Sequence, residues 1–289
     1  MGIKKVINEV LDNFLNEELS INEELIKGVT FAIERIESRY SNDIGNNGNL
    51  DGHILTNLKD IVSFGDYGSI ECFVTVIDFE SSDNVREEFF KYDFGGETEQ
   101  VNYRIIVRVF SINGVIDRQF MYNTLFHECE HAFQFLKRNK ELYNTKSSYK
   151  KAVKIVNGED NVHNSEEYVI VANILYFFNK IEIDAEVNGL YGELINNGCI
   201  IGETNFNEQL KAYKAEVKKL ISNYSSDKYN DALRYFNVTY GKLISFVRRQ
   251  NEYLSHKIRK VYQKAWNDSH KPMKENKIIK PIGLYLRKK

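Results

Sequence analysis

The chain has 289 residues, of which 42% are hydrophobic and 28% charged, and its formal net charge is −2 at pH 7. This length and apolar content are enough to bury a substantial core. The near balance of charge does not indicate a protein dedicated to nucleic acid or to anionic membranes, and three scattered cysteines cannot build a disulfide framework.

The first twenty residues, "MGIKKVINEVLDNFLNEELS", carry acidic side chains every few positions and so do not resemble a secretory signal. No apolar run in the chain approaches the length that a membrane-spanning helix needs. We therefore expect a cytoplasmic protein with no membrane contact.

The N-terminal third begins with a helical pattern and then changes its period. Apolar residues at spacings of three and four, among them Val29, Ile33 and Ile36, predict helix over 3–40. Further on, the segments "SIECFVTVIDFE" and "VNYRIIVRVF" are rich in β-branched and aromatic residues, and an Asn-Gly turn follows the second. These features predict a small sheet, antiparallel or mixed, between about 54 and 118.

Helical periodicity returns from Gln119. The segment "QFMYNTLFHECEHAFQFLKRN" contains no Gly or Pro, and its apolar stripe includes Cys129, which we expect to be a small buried hydrophobe. A second helical segment is predicted over 166–195, and two long amphipathic helices over 207–268. The order of helix, sheet and helices predicts an α+β fold.

We divide the chain into three parts on this basis: an N-terminal helical segment (1–50), a core (51–200) and a C-terminal helical segment (201–289). The last part ends in a basic tail, in which seven Lys or Arg follow residue 270 against one acidic residue. No aromatic stacking platform accompanies the tail, so a solvated tail is favoured over a contact with nucleic acid.

The sequence "FHECEHAFQF" contains the pattern H-E-x-x-H, formed by His127, Glu128 and His131. Residues four apart on a helix lie on one face, roughly 6 Å apart along the axis, so both imidazoles can meet one metal ion. Glu128 is rotated by about 100° from the first histidine, where it can accept a proton from a water that the metal activates. The spacing thus predicts two zinc ligands and one base.

Catalytic zinc needs a third protein ligand, and no third histidine follows at the short spacing of the metzincins. In "KIEIDAEVNGLYGELINNG" the residues Glu182, Glu186, Gly189 and Glu193 share one helical stripe beside an apolar one. Such an acidic stripe is ordinarily a solvated helix face, and the alternative is that it supplies the missing carboxylate.

H-E-x-x-H followed some fifty residues later by E-x-x-A-[D/E] resembles the gluzincin metallopeptidases, the thermolysin and neprilysin clan. The resemblance covers about residues 101–195. It implies a zincin-like core that binds one Zn²⁺ per chain, with Glu182 as third ligand. It also implies that Glu186 hydrogen-bonds the first histidine, that Ala185 fits a close helix approach, and that an edge strand, here "VNYRIIVRVF", binds the substrate backbone.

The sequence departs from that family at three points. Glu186 stands where Asp is commoner, no Asn precedes the second motif, and no downstream His or Tyr can be assigned to stabilise the transition state. His163, in a polar loop, could reach the cleft as an electrophile or could be solvated. If Glu182 is not a ligand, Glu186 is the next candidate.

The expected function is a zinc-dependent peptidase that acts on a peptide or protein substrate, with Glu128 as general base. The alternative is a structural or interaction protein that keeps a zinc-binding zincin core while the long helices at 1–40 and 207–268 bind a partner. A third hypothesis, nucleic-acid binding through the basic tail, has the least support. The oligomeric state is not predicted.

Overall fold

The computed structural model describes residues 22–43, 49–50, 53–80, 85, 89, 96–99, 104–137, 147–160, 162–199 and 204–270. The described residues form an α+β fold, as the order of sequence patterns predicts. The first part of the helix predicted over 3–40 and the basic tail lie outside the described residues.

Eight helices are described, and we number them in chain order. They are α1 (Glu23–Asp43), α2 (Arg118–Lys137), α3 (Ser147–Val156), α4 (Glu166–Phe177), α5 (Lys180–Asn196), α6 (Asn205–Asn223), α7 (Asp227–Tyr235) and α8 (Tyr240–Ser269). The described strands are β1 (Asn49–Leu50), β2 (His53–Ser63), β3 (Ser69–Phe79), β4 (Gly96–Glu99), β5 (Arg104–Ile112) and β6 (Val115–Ile116).

The strands form one sheet in the order β1-β2-β3-β5-β4, and β6 pairs with β5. All its pairs are antiparallel except β3 and β5, which run parallel with Val74 opposite Val107. The sheet is therefore mixed, and the purely antiparallel form of the prediction is wrong. A parallel pair needs a connection of a dozen or more residues, and residues 80–103 supply it.

Helix α1 packs against β2 through its apolar stripe. Val29, Ile33 and Ile36 are fully buried there, which confirms the helical periodicity predicted for this part of the chain. The same core continues through the sheet into helices α2 and α5. The N-terminal helix is thus packed on the sheet that precedes the H-E-x-x-H helix.

A tight hairpin leads from the sheet into helix α2. Asn113 and Gly114 both have positive φ, 51° and 77°, as a type I′ turn requires, which confirms the predicted Asn-Gly turn. The carboxylate of Asp117 then accepts a hydrogen bond from the backbone N–H of Phe120 at 2.8 Å. This cap fixes where α2 begins and hence where its histidines lie.

The helix predicted over 166–195 is two helices, α4 and α5, so the single-helix prediction is wrong. Asn179 lies between them with extended backbone (φ −72°, ψ 143°), and its side chain accepts a hydrogen bond from the N–H of Ile181 at 3.0 Å. An Asn cap of this kind starts a new helix. Residues 207–268 likewise form three helices instead of two, because Ser226 and Thr239 cap new starts.

Helices α2 and α5 pack closely against each other over much of their length. Small residues permit this approach: a Cβ at Gly192 would lie 2.7 Å from the carbonyl oxygen of Tyr122 and 2.7 Å from Phe126, and Ala185 is fully buried. Cys129 is also fully buried, as predicted for a small hydrophobe. The contact between these helices sets the distance between the two sequence motifs.

Replacing Gly192 by Ala is expected to lower the free energy of unfolding by about 2 kcal/mol, since a backbone carbonyl cannot move aside as a side chain can. Urea denaturation followed by circular dichroism measures this change. Gly241→Ala is the matched control, because a Cβ there meets nothing within 4 Å. We expect the control to leave stability unchanged or to raise it by up to ~1 kcal/mol, and equal losses in both variants would contradict the close contact.

None of the described helices is long and apolar enough to cross a membrane.

Candidate metal centre

The two histidines of H-E-x-x-H lie side by side on helix α2. Nε2 of His127 and Nε2 of His131 are 3.2 Å apart, and their ring planes are inclined at 78°. Both rings are mostly buried. The spacing of four residues thus directs the same nitrogen of each ring to one point, as the sequence predicts.

Helix α5 brings Glu182 to that point. Its Oε2 lies 3.3 Å from Nε2 of His131, and the ligand atoms of His127, His131 and Glu182 all lie within 4.8 Å of one another. In the described part of the chain this is the group of His, Cys, Asp and Glu side chains that could hold a metal ion. The structure therefore brings the three predicted ligands together, whereas metal binding itself stays a prediction.

The two oxygens of the Glu182 carboxylate differ in their surroundings. Oε1 accepts a hydrogen bond from the hydroxyl of Tyr149 at 2.8 Å. Oε2 is buried and accepts no well-aligned hydrogen bond from the described residues, but it lies 3.3 Å from Nε2 of His131 and forms an ion pair with that ring when the ring is protonated. Because this atom faces two imidazole nitrogens, the donor set fits a divalent cation.

Glu186 lies on the other side of the first histidine. Its Oε1 is 3.8 Å from Nδ1 of His127, the nitrogen that does not point to the cluster. This is the side on which the family resemblance implies an acidic partner for the ring. At 3.8 Å the two atoms are close but not directly hydrogen-bonded.

The whole acidic stripe of α5 is buried against α2. The exposed fractions of Glu182, Glu186 and Glu193 are 4%, 7% and 0%. At the far end of the stripe, Glu193 accepts hydrogen bonds from the amides of Asn123 and Gln119. The interpretation of this stripe as a solvated helix face is therefore wrong.

Burial and mutual charge shift the pKa values at the cluster in opposite directions. Burial, helped by the neighbouring ring, lowers the pKa of His127 to about 3. Burial also disfavours charge on His131, but the carboxylate of Glu182 prevails and raises its pKa to about 9. For Glu182, burial raises the pKa, yet the charge of His131 outweighs it and the net shift is downward. One ring is thus neutral and the other is paired with a carboxylate.

Glu186 shows how much negative charge is concentrated here. Burial, and then the charge of Glu182, raise the pKa of Glu186 to about 8. Two acidic side chains next to each other in a buried site resist simultaneous ionisation. A divalent cation between the rings and Glu182 would relieve that repulsion.

Glu128, the predicted base, is also buried, with 7% of its surface exposed. Its charge contributes to the raised pKa values of both His131 and Glu186. It therefore lies beside the cluster and is not one of the three converging ligands. This is the placement that the spacing on the helix predicts.

Two tyrosines at the cluster were missed by the sequence interpretation. Both lie between the two motifs, whereas a His or Tyr that stabilises the transition state was expected after the second motif. Tyr149 of α3 and Tyr176 of α4 lie with parallel rings, 6.2 Å between centroids. Tyr149 donates to Glu182, and burial together with the charge of Glu182 raises the pKa of Tyr176 well above its usual value. No local spacing pattern links either tyrosine to H-E-x-x-H.

The structure does not bring His163 into the cluster. Its Nδ1 lies 3.1 Å from the carboxylate of Asp160, and its ring stacks on Tyr235 at 3.9 Å. The carboxylate of Asp160 also accepts from the hydroxyl of Tyr235. His163 thus fixes the turn before α4, and the hypothesis that it reaches the cleft has no support from its contacts.

The segment expected to form an edge strand is in the interior of the sheet. Strand β5, from "VNYRIIVRVF", is paired on one side with β3 and on the other with β4, so its assignment as the edge is wrong. Strand β4 is the outer strand next to β5 in the described part of the sheet, and β1 is the outer strand at the other end. Strand β4 packs against helix α2, and no alternation in its short sequence marks it as a strand.

The cap at Asn179 determines where Glu182 stands in helix α5. Asn179→Ala is expected to lower the free energy of unfolding by about 1 kcal/mol, because the N–H of Ile181 loses its acceptor. Ser165→Ala is the matched control: Ser165 precedes α4 but makes no capping hydrogen bond. Urea midpoints measure both changes, and an effect of Ser165→Ala as large as that of Asn179→Ala would contradict the capping role.

No family model, no curated protein and no solved structure matches the chain.

Proposed function

We propose that this chain is a metal-dependent peptidase, with zinc as the ion and Glu128 as the general base. The observation that supports it most is the convergence of His127, His131 and Oε2 of Glu182 at one buried point. Two such imidazoles and a carboxylate from a second helix are a donor set of catalytic zinc sites, which keep a fourth position open.

The donor set also favours zinc over other ions. Two imidazole nitrogens are ligands that zinc binds well, whereas calcium and magnesium prefer six or more oxygens. The cluster supplies one carboxylate oxygen towards the rings. We propose one ion per chain, held by His127, His131 and Glu182. Glu186 lies near Nδ1 of His127, on the side of the ring away from the ion.

A divalent ion held there would polarise the scissile carbonyl and make its water acidic near neutral pH. Glu128 takes the proton of the attacking water and passes it to the leaving amine. Glu128 is buried beside the cluster, so its carboxylate is held within the site. Tyr149 holds the ligand Glu182 through Oε1.

Strand β4 is the candidate for binding the substrate backbone. It is hydrogen-bonded on one side to β5, and it packs against the helix that bears the histidines. An extended peptide can add, through main-chain hydrogen bonds, to the side of β4 that pairs with no described strand. In this proposal the substrate is therefore a peptide or an extended segment of a protein.

The resemblance of H-E-x-x-H and E-x-x-A-E to the gluzincin motifs supports the same proposal, and so does the position of Glu186 beside His127. Membership of that family, with a zincin-like core, is part of the proposal. The three cysteines Cys72, Cys129 and Cys199 are free thiols, which is the form that a reducing compartment maintains. We propose that the enzyme acts in the cytoplasm.

Two measurements on the purified chain test the proposal. Plasma emission spectroscopy should find about one zinc per chain, and digestion of a broad peptide library should release cleavage products that a chelator abolishes. Metal without cleavage would instead favour an interaction protein that keeps a metal-binding core. A chain that binds no divalent ion would refute both functions.

A further inference from the structure

We infer that Tyr149 is a positioning residue that orients the Glu182 carboxylate, so that the metal meets one oxygen and not both. The inference rests on the metal site of the proposed function, but not on peptide cleavage. The geometry that supports it is the unequal treatment of the two carboxylate oxygens.

A carboxylate can bind a cation through one oxygen or through two, and the difference decides how many positions the cation keeps open. The hydroxyl of Tyr149 donates a hydrogen bond to Oε1 of Glu182 at 2.8 Å and so holds this oxygen on the tyrosine side. Oε2 faces the rings instead, 3.3 Å from Nε2 of His131. Rotating the carboxylate to bring Oε1 towards the rings would move it away from the Tyr149 hydroxyl. One-oxygen binding leaves room for water and a substrate carbonyl.

The helix that carries Tyr149 is itself anchored. Lys151 donates a hydrogen bond from Nζ to the backbone carbonyl of Tyr235 at 2.6 Å, and its ammonium lies 4.4 Å from the centre of that tyrosine ring. Helix α3 also packs along α4. Helix α3, which carries Tyr149, is therefore held in place by two sets of contacts, as the element that orients a ligand must be.

The test is Tyr149→Phe, which removes the hydroxyl and keeps the ring. We expect zinc affinity, measured by competition with a chromophoric chelator, to fall about 10- to 100-fold, as is typical for the loss of a partner of a ligand. We also expect the visible absorption spectrum of the Co²⁺-substituted chain to change. Such a change reports the coordination of the ion, which a loss of stability alone would leave unaltered.

Tyr253→Phe is the matched control. The hydroxyl of Tyr253 donates to Oδ1 of Asp184 at 2.6 Å, so the same chemical change removes a bond to a carboxylate on the same helix, two residues from Glu182. Asp184 is not in the metal cluster. We expect this variant to bind zinc as tightly as the unaltered chain does. We also expect its Co²⁺-substituted form to have the same visible absorption spectrum.

Three results would overturn the inference: unchanged zinc affinity and Co²⁺ spectrum in Tyr149→Phe, equal weakening in Tyr149→Phe and Tyr253→Phe, or an unaltered chain that binds neither ion. The last result would also refute the proposed function. An unaltered chain that binds zinc but cleaves no peptide would refute only the peptidase, and the expected difference between the two variants would still support the role of Tyr149.

Discussion

Glu128→Gln is expected to abolish peptide cleavage while the chain keeps its metal. The amide has nearly the shape of the carboxylate, but it cannot accept the proton of the attacking water. Loss of a general base costs about 10²- to 10⁴-fold in rate, so turnover should fall close to the detection limit. Glu128 is not one of the three converging ligands, and zinc content should therefore stay that of the unaltered chain. Peptide-library digestion and plasma emission spectroscopy measure the two quantities.

Glu130→Gln provides the control for this variant, because Glu130 lies two residues further along α2. Its Oε1 accepts a hydrogen bond from Gln134 at 2.9 Å, and burial followed by the charge of Asp184 raises its pKa to about 7. Near neutral pH a large part of this side chain is already uncharged, so a neutral amide is a close substitute. We expect cleavage within a few-fold of the unaltered chain. If Glu128→Gln cleaves as fast as this control, Glu128 is not the base.

The parts of the site that follow from a single helix can be predicted from the sequence. The four-residue spacing of His127 and His131 determines that their rings share a face, and the apolar stripe of α2 determines which face is buried. Glu182 could be selected because it begins the pattern E-x-x-A-E, which resembles the second gluzincin motif. In each case the information lies within one turn or a few turns of helix.

Features that depend on long-range pairing were not predictable in the same way. The parallel alignment of β3 and β5 depends on where the chain passes between them, and both strands have the same residue types as antiparallel ones. The edge position of β4 also depends on long-range pairing. Because β4 pairs with β5, the strand predicted for the edge lies in the interior. Tyr149 lies on another helix, and only the packing of α3 on α4 brings its hydroxyl to Glu182.

The break between α4 and α5 had a sequence signal that was overlooked. Asn179 is followed three residues later by Glu182, a pattern that starts helices, but the apolar periodicity of 166–195 runs across it. The break places Glu182 in the first turn of α5. The positive end of the helix dipole then favours the charged carboxylate, which contributes to its readiness to bind a cation.

Glu182→Ala is expected to remove the metal, because it deletes the carboxylate that, among the described residues, converges with both rings. Two histidines on a single helix are two ligands, and we expect zinc affinity to fall at least about 100-fold, more than for the loss of a partner of a ligand. The substitution also removes the charge that raises the pKa of His131. His131 can then lose its proton instead of remaining charged and buried, so we expect the chain still to fold, which circular dichroism checks.

Glu186→Gln tests whether Glu186 is a metal ligand or only a neighbour of one. The carboxylate of Glu186 lies 3.8 Å from Nδ1 of His127, on the side away from the cluster, so its loss should weaken zinc binding by about 10-fold and leave the stoichiometry unchanged. The opposite order would identify Glu186 as the third ligand: one zinc per chain retained in Glu182→Ala, and lost in Glu186→Gln. The expected order instead follows from the cluster itself, since the carboxylate of Glu182, and not that of Glu186, lies with the two histidine nitrogens in one group within 4.8 Å.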